Sequence, residues 1–306
     1  MNTITTRFDG FLNEGMIKLP PRVLEEALKF FNFWALAHIL AHGLKKAGKD
    51  EDEQQLVMLA VKKVADRLQV KMPTKQDVTK AYGARELTKR MKLANDVPKA
   101  YVDRISKRFG DVKGKKLLAG TEIGITIYFK KGQLRNSRAV WDRSEESLFV
   151  SLPNCELDEV AFGDLSNYNY IFIGRKLHVV LGIIEHELTH GIQDLVLRLI
   201  HPEQAKTNGK SDKIPFEKPK SNAERNVNHH LSAIEFDPLI KSSVRQFRVM
   251  VETERVKDDL AKTKELFHKF TTTDVSRFFS TLRKHDEERW KKAVKLAWGE
   301  YERKYL

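Results

Sequence analysis

Apolar residues recur along this chain at two different periods, and the expected structure changes where the period changes. After Pro20-Pro21, the positions Val23, Leu24, Leu28, Phe31, Trp34, Ala35, Ile39 and Leu40 repeat every three or four residues as far as Gly43, which predicts an amphipathic helix over 21–46. Lys49-Asp50-Glu51-Asp52-Glu53 is an acidic helix start, suited to the dipole of a second helix that ends near Leu68. Past Met72-Pro73 a helix is expected over 74–95, and past Val97-Pro98 a short one reaching Phe109. Near Gly110 alternation and β-branched residues take over. Residues 121–129, 138–141 and 147–152 read as strands, and 168–173 is a fourth strand candidate. A helix is expected over 175–200, where the apolar run Leu177, Val179, Val180, Ile183, Ile184, Leu188, Ile192, Leu195, Leu197 and Leu199 is long enough to be buried. A breaker-rich segment over 201–221 follows, read as a flap or a connection. From Asn228 to Leu306 the chain reads as helical, with breaks near Thr271 to Thr273 and at His285. The expected fold class is α+β and mostly helical, with a small mixed sheet packed on the 175–200 helix. The expected division is a basic helical region at 1–110 and a core with C-terminal helices at 111–306.

Composition narrows the setting. A single cysteine, Cys155, among 306 residues excludes an internal disulfide. The first fifteen residues lack the continuous apolar core of a signal peptide. The longest apolar stretch, 30–44, is too short to span a bilayer and carries Asn32, His38 and His42. The expectation is a soluble cytoplasmic protein with no membrane partner. The net charge of +13 is unevenly distributed: −1 over 1–61, +11 over 62–118, −3 over 119–239 and +6 over 240–306. Lys75, Lys80, Arg85, Lys89, Arg90, Lys92, Lys99, Arg104, Lys107 and Arg108 concentrate the excess. Such flanks suit an anionic partner, nucleic acid or an acidic protein, or else a solvated surface kept soluble by repulsion. No turn signature of a helix-turn-helix reader accompanies them.

The acidic block contains the chemistry. Ile184-Glu185-His186-Glu187-Leu188-Thr189-His190 holds the pattern His-Glu-x-x-His inside the predicted apolar helix. Histidines four apart stand one turn above each other, about 40° apart around the axis, so both imidazoles reach one ion. Glu187 projects beside the same spot, where it can take a proton from a metal-bound water. Two histidines with Glu185, Glu187 and Asp194 are costly in an apolar helix without partners, and a metal is the simplest partner. The bland alternative is a half-buried helix whose histidines only make hydrogen bonds. His38 and His42 are also four apart, but they lie among Trp34, Leu36 and Ile39 with no glutamate between them, and read as packing residues.

A catalytic zinc takes three protein ligands and keeps one position open. The metzincin pattern requires glycine and histidine where this chain has Gln193 and Val196. In Spartan-like proteases a histidine follows somewhat farther on, and His201, before Pro202, fits that poorly. Peptide deformylases use a preceding cysteine, but the glycine-rich strand that accompanies theirs does not surround Cys155. The segment His230-Leu231-Ser232-Ala233-Ile234-Glu235-Phe236-Asp237 is similar to the second signature of small zincin-type metallopeptidases, including many from bacteriophages. Over 184–194 and 229–238 the chain therefore resembles a gluzincin-type zinc peptidase, although Pro238 is unusual just after such a glutamate. The resemblance implies a zincin-like core in which His186, His190 and Glu235 hold Zn2+ and Glu187 is the general base. The developing oxyanion then needs donors besides the metal, for which His229, His230, Tyr168 and Tyr170 are candidates that spacing cannot choose among, and Asp194 is either an orienting partner of His190 or a helix-surface carboxylate. It also implies a peptide or protein substrate, laid along an edge strand of the preceding sheet, and a location in a host cytoplasm or a virion. Two alternatives stay open. Ser232-x-x-Glu235 has capping-box spacing, which would leave Glu252 or Glu254 as third ligand. The chain could also be a basic structural or nucleic-acid-binding protein whose zincin-like core does not turn over.

Overall fold

A computed structural model describes residues 21–92, 122–129, 139–152, 170–200 and 220–306, which together form nine helices and four strands. Helix α1 spans Pro21–Ala47, α2 Glu51–Arg67 and α3 Lys75–Gly83, followed by strands β1 Glu86–Lys92, β2 Glu122–Tyr128, β3 Ala139–Asp142 and β4 Ser147–Ser151. Helix α4 covers Tyr170–Ile200, α5 Asn222–Leu231, α6 Ala233–Glu254, α7 Leu260–Thr272, α8 Arg277–His285 and α9 Glu287–Tyr305. Two compact units meet in the sequence at Gly191 and Ile192, inside the continuous helix α4. The division expected near residue 110 lies outside the described residues, as do the short helix before Phe109 and the 201–219 segment.

In the unit ending at Gly191, α1 packs against α2, α3 and β1; of the expected face it buries Val23, Phe31, Trp34, Ala35, Ile39 and Leu40, while Leu24 and Leu28 are half-buried and Ala27 is buried in addition. Helix α2 starts as expected. The Asp50 carboxylate accepts the amides of Asp52 and Glu53 at 3.1 Å, and three acidic residues fill the first turn.

The helix expected over 74–95 stops early. Thr74 and Asp77 close a capping box at its start, but Ala84 is extended, and residues 86–92 form β1 instead. Every residue of β1 has an antiparallel partner in β2, from Glu86 opposite Tyr128 to Lys92 opposite Glu122. Leu87, Lys89 and Met91 face the covered side, and the rest are exposed. A strand so poor in apolar residues is decided by its neighbour, not by its own pattern.

The sheet order is β1-β2-β4-β3, with β2 and β4 parallel and both edge strands antiparallel to their neighbours. Residues 123–127 of β2 are all buried, as expected of a central strand. Of the fourth strand candidate, 168–173, residues 170–173 open helix α4, so β-type local composition gives way there to helix continuity, and residues 168 and 169 lie outside the described residues. On α4, the ring of Trp141 from β3 lies so close to Gly191 that a Cβ there would meet its Cε3 at 2.8 Å.

The described residues of the unit from Ile192 onward are helical. Its core is aromatic: Phe236, Phe247, Phe270, Phe279 and Tyr301 are fully buried, with Phe247 edge-on to both Tyr301 and Phe267 at centroid distances of 4.8 and 5.0 Å. Helix α6 ends at Arg255 in the left-handed conformation (φ 55°), and α8 gives way to α9 at Asp286, one residue past the expected break.

Two glycines in helix interiors should respond oppositely to alanine. Gly299 faces open space, so Gly299→Ala stabilises by about 0.5–1 kcal/mol through helix propensity. Gly191→Ala drives a methyl group into the Trp141 ring, and an overpacking cost of about 1–3 kcal/mol outweighs that gain, leaving a net loss. Urea-denaturation midpoints of the two variants test the contrast, and a stabilised Gly191→Ala would contradict it.

Candidate metal centre

Many of the described side chains of helix α4 are apolar and buried. Leu177, Val180, Leu181, Ile184, Leu188, Ile192 and Leu195 are buried, and so are the polar side chains of Glu185, Thr189, Gln193 and Asp194. His186 and His190 occupy the less covered stripe, one turn apart. Their Nε2 atoms lie 3.2 Å apart, with the rings nearly perpendicular. Two nitrogens each about 2.05 Å from a zinc at a tetrahedral angle would stand about 3.3 Å apart. The pair therefore already has the spacing of two ligands of one ion.

Glu235 completes the group: one ligand atom from each of His186, His190 and Glu235 lies within 4.8 Å of the others, and this is the one such cluster of three among the described residues. Two imidazoles and one carboxylate form a donor set suited to a divalent cation of borderline softness such as zinc. Glu235 is the acidic residue in the first turn of α6, at the positive end of that helix's dipole. The capping-box alternative finds no support from Ser232, which caps α6 without a side-chain hydrogen bond. The other two carboxylates considered for the third position are remote from Glu235. Glu252 lies roughly 25 Å farther along the same helix at about 1.5 Å per residue, and it pairs with Arg248 at 2.9 Å. Glu254 is the last residue of that helix.

Glu187, between the two histidines, accepts a hydrogen bond on Oε2 from the Trp141 amide at 3.1 Å. Sequence patterning overlooks this contact, because a main-chain amide has no residue signature. Its one trace is Gly191, a helix-interior glycine that admits the Trp141 ring. The other overlooked residue is Gln193, whose Nε2 donates to the Ile234 carbonyl at 2.9 Å and ties α4 to the first turn of α6.

The remaining candidates separate. His229 lies beside the cluster, with Nδ1 3.4 Å from Glu235 Oε1 and its side chain 47% exposed. His230 turns toward α8, its Nδ1 3.0 Å from Thr281 Oγ1 and its ring edge-on to Phe278. Burial first, and then the neighbouring His229 and Arg277, hold its imidazole at a pKa of about 4, with Glu235 pulling the other way. Asp194 is buried one turn beyond His190. Tyr170 opens α4, whereas Tyr168, Cys155 and His201 lie outside the described residues. His38 and His42 pack ring to ring at 4.3 Å, next to Phe129 and Tyr82 respectively.

The described part of the basic block is partly neutralised at home. Lys89 reaches Glu26 at 3.8 Å, Arg90 and Lys92 reach Glu122 at 3.5 and 3.8 Å, and Lys80 lies over the Trp34 ring. Lys99, Arg104, Lys107 and Arg108 lie outside the described residues. Among the described residues no helix is long and apolar enough to cross a membrane.

The depressed His230 pKa sets a pH dependence. Between about 6.5 and about 4 the unfolded chain protonates this imidazole while the folded chain does not, so stability falls as pH drops through that window and is unaffected above it. At pH 5 the loss amounts to at most about 2 kcal/mol. Metal-free His230→Gln should lose correspondingly less stability than the parent between pH 7 and pH 5 in urea titrations; equal losses would refute the assignment. No family model, curated protein or solved structure matches this chain, so its functional reading rests on the geometry above.

Proposed function

We propose that the protein is a zinc-dependent endopeptidase with a zincin-like core, of the gluzincin type that its two sequence segments resemble. The observation that carries this reading is the convergence of His186, His190 and Glu235, residues far apart in sequence, with a second carboxylate, Glu187, on the same helical turn. A zinc ion held by those three side chains supplies a Lewis acid that lowers the pKa of a coordinated water to about 7.

The chain's own residues supply the rest. Glu187 takes the proton from the attacking water and returns it to the leaving amine, while the Trp141 amide holds one of its oxygens in a fixed direction. Strand β3, to which Trp141 belongs, is an edge of the sheet among the described residues, so an extended peptide can pair along its outer side, over the residues that the Glu187 bond does not use. Of the two histidines considered for the developing oxyanion, His229 is better placed beside the cluster, because His230 already engages Thr281 through Nδ1. A single cysteine among 306 residues suits a reducing setting such as a host cytoplasm.

Purified protein should carry about one zinc per chain, and His190→Ala should lose most of it. Glu187→Gln should keep the metal while casein hydrolysis falls by at least about 100-fold, the usual contribution of a general base. Elemental analysis alongside the protease assay separates the outcomes. A parent protein that lacks zinc, or one that binds zinc and nucleic acid but hydrolyses no peptide, would overturn the proposal.

A further inference from the structure

An α-helix closes each turn with an amide donating to the carbonyl four residues earlier, and a proline has no amide to donate. Pro238 lies inside α6, so the amide that would ordinarily bond the Ile234 carbonyl does not exist. That carbonyl is nevertheless bonded: it accepts from Gln193 Nε2 at 2.9 Å. Gln193 is almost fully buried, three residues past His190 on α4, and Ile234 immediately precedes Glu235. A side-chain amide from the motif helix thus replaces the missing backbone amide of α6, at the peptide unit adjoining the proposed third ligand.

The same junction is held from a second side. Arg289 of α9 donates through Nη1 to the Leu231 carbonyl at 2.6 Å and through Nη2 to the Ser232 carbonyl at 3.1 Å, while its guanidinium lies over the Phe236 ring at 4.8 Å. Three of the four carbonyls from Leu231 to Ile234 therefore accept hydrogen bonds from side chains. The two clamps differ in what they join. Arg289 fixes the α5–α6 junction within the helical unit. Gln193 ties it to the helix that carries His186 and His190.

We infer that Gln193 is a positioning residue for the metal centre, and that Pro238 is the device that makes the Ile234 carbonyl available to it. Without the proline, α6 would satisfy that carbonyl internally and its first turn would have one bond fewer to α4. With the proline, leaving this part-buried carbonyl unpaired is costly, so α6 is held where Gln193 can reach it, and Glu235 is held with it. This inference rests on the zinc reading above, and its test separates the two.

The test compares the parent, Gln193→Leu, Pro238→Ala and the double variant, using two measurements. The first is urea denaturation of the metal-free proteins. Gln193→Leu should lower the midpoint clearly when Pro238 is present and much less in the Pro238→Ala background, where the substituted residue supplies a backbone amide. An equal effect in both backgrounds would overturn the pairing. The second is titration with Co2+, followed by its visible ligand-field bands, together with Zn2+ competition. Gln193→Leu should weaken binding by about 10- to 100-fold, and the double variant should recover stability without recovering affinity. Recovery of both would mean that Gln193 only fills a carbonyl's hydrogen-bonding need, and unchanged affinity in Gln193→Leu would remove its positioning role. If Gln193→Leu alone folds too poorly to titrate, the double variant against Pro238→Ala gives the same comparison. A parent that binds neither metal would count against the zinc reading, while the denaturation arm still decides whether Gln193 and Pro238 act as a pair.

Discussion

Burying a polar group without a partner costs more than most single contacts return, and helix α4 is shaped by that constraint. Its covered surface includes Glu185, Thr189, Gln193 and Asp194 among leucines and isoleucines. Thr189 resolves its need locally, donating to the Glu185 carbonyl at 2.7 Å. Gln193 cannot do so and reaches a carbonyl of another helix. Glu187, on the more open stripe, draws in the amide of a strand. Each of these last two solutions ties a separate piece of chain to α4, close in sequence to the two histidines.

Much of this organisation is legible in the sequence wherever a local rule has no competitor. The 21–46 periodicity, the acidic start before α2, the strands over 122–128 and 147–151 and the helical C-terminal third all follow from spacing and capping. Strand β1 is not legible in this way. Glu-Leu-Thr-Lys-Arg-Met-Lys has only two apolar side chains, and its conformation comes from a partner strand distant in sequence, from Lys92 opposite Glu122 to Glu86 opposite Tyr128. Residues 170–173 show the reverse error, since strongly β-type residues form the opening turn of a helix whose remaining length dictates their backbone.

The candidate centre divides along the same line. His186, Glu187 and His190 belong to one turn and a half of helix, so their convergence follows from helix geometry alone. Glu235 could be named from the sequence but not set apart from a capping role, because capping-box spacing fits it equally; its place beside the two histidines comes from the three-dimensional arrangement alone. Trp141 acts through its main chain and leaves no mark of its own. The readable traces of such contacts are residues that look misplaced: Gly191 within a helix, and Pro238 within the first turns of another.

The sheet has two open edges among the described residues, and unpaired strand edges invite other chains to add to them. At one edge, β1 carries Lys89, Arg90 and Lys92, whose charges repel a like strand in another molecule. At the other, the outward amide of Trp141 is already occupied by a carboxylate, so a strand that paired along the whole edge would first have to displace Glu187. The same bond that orients an acid beside the two histidines therefore also discourages sheet-to-sheet aggregation.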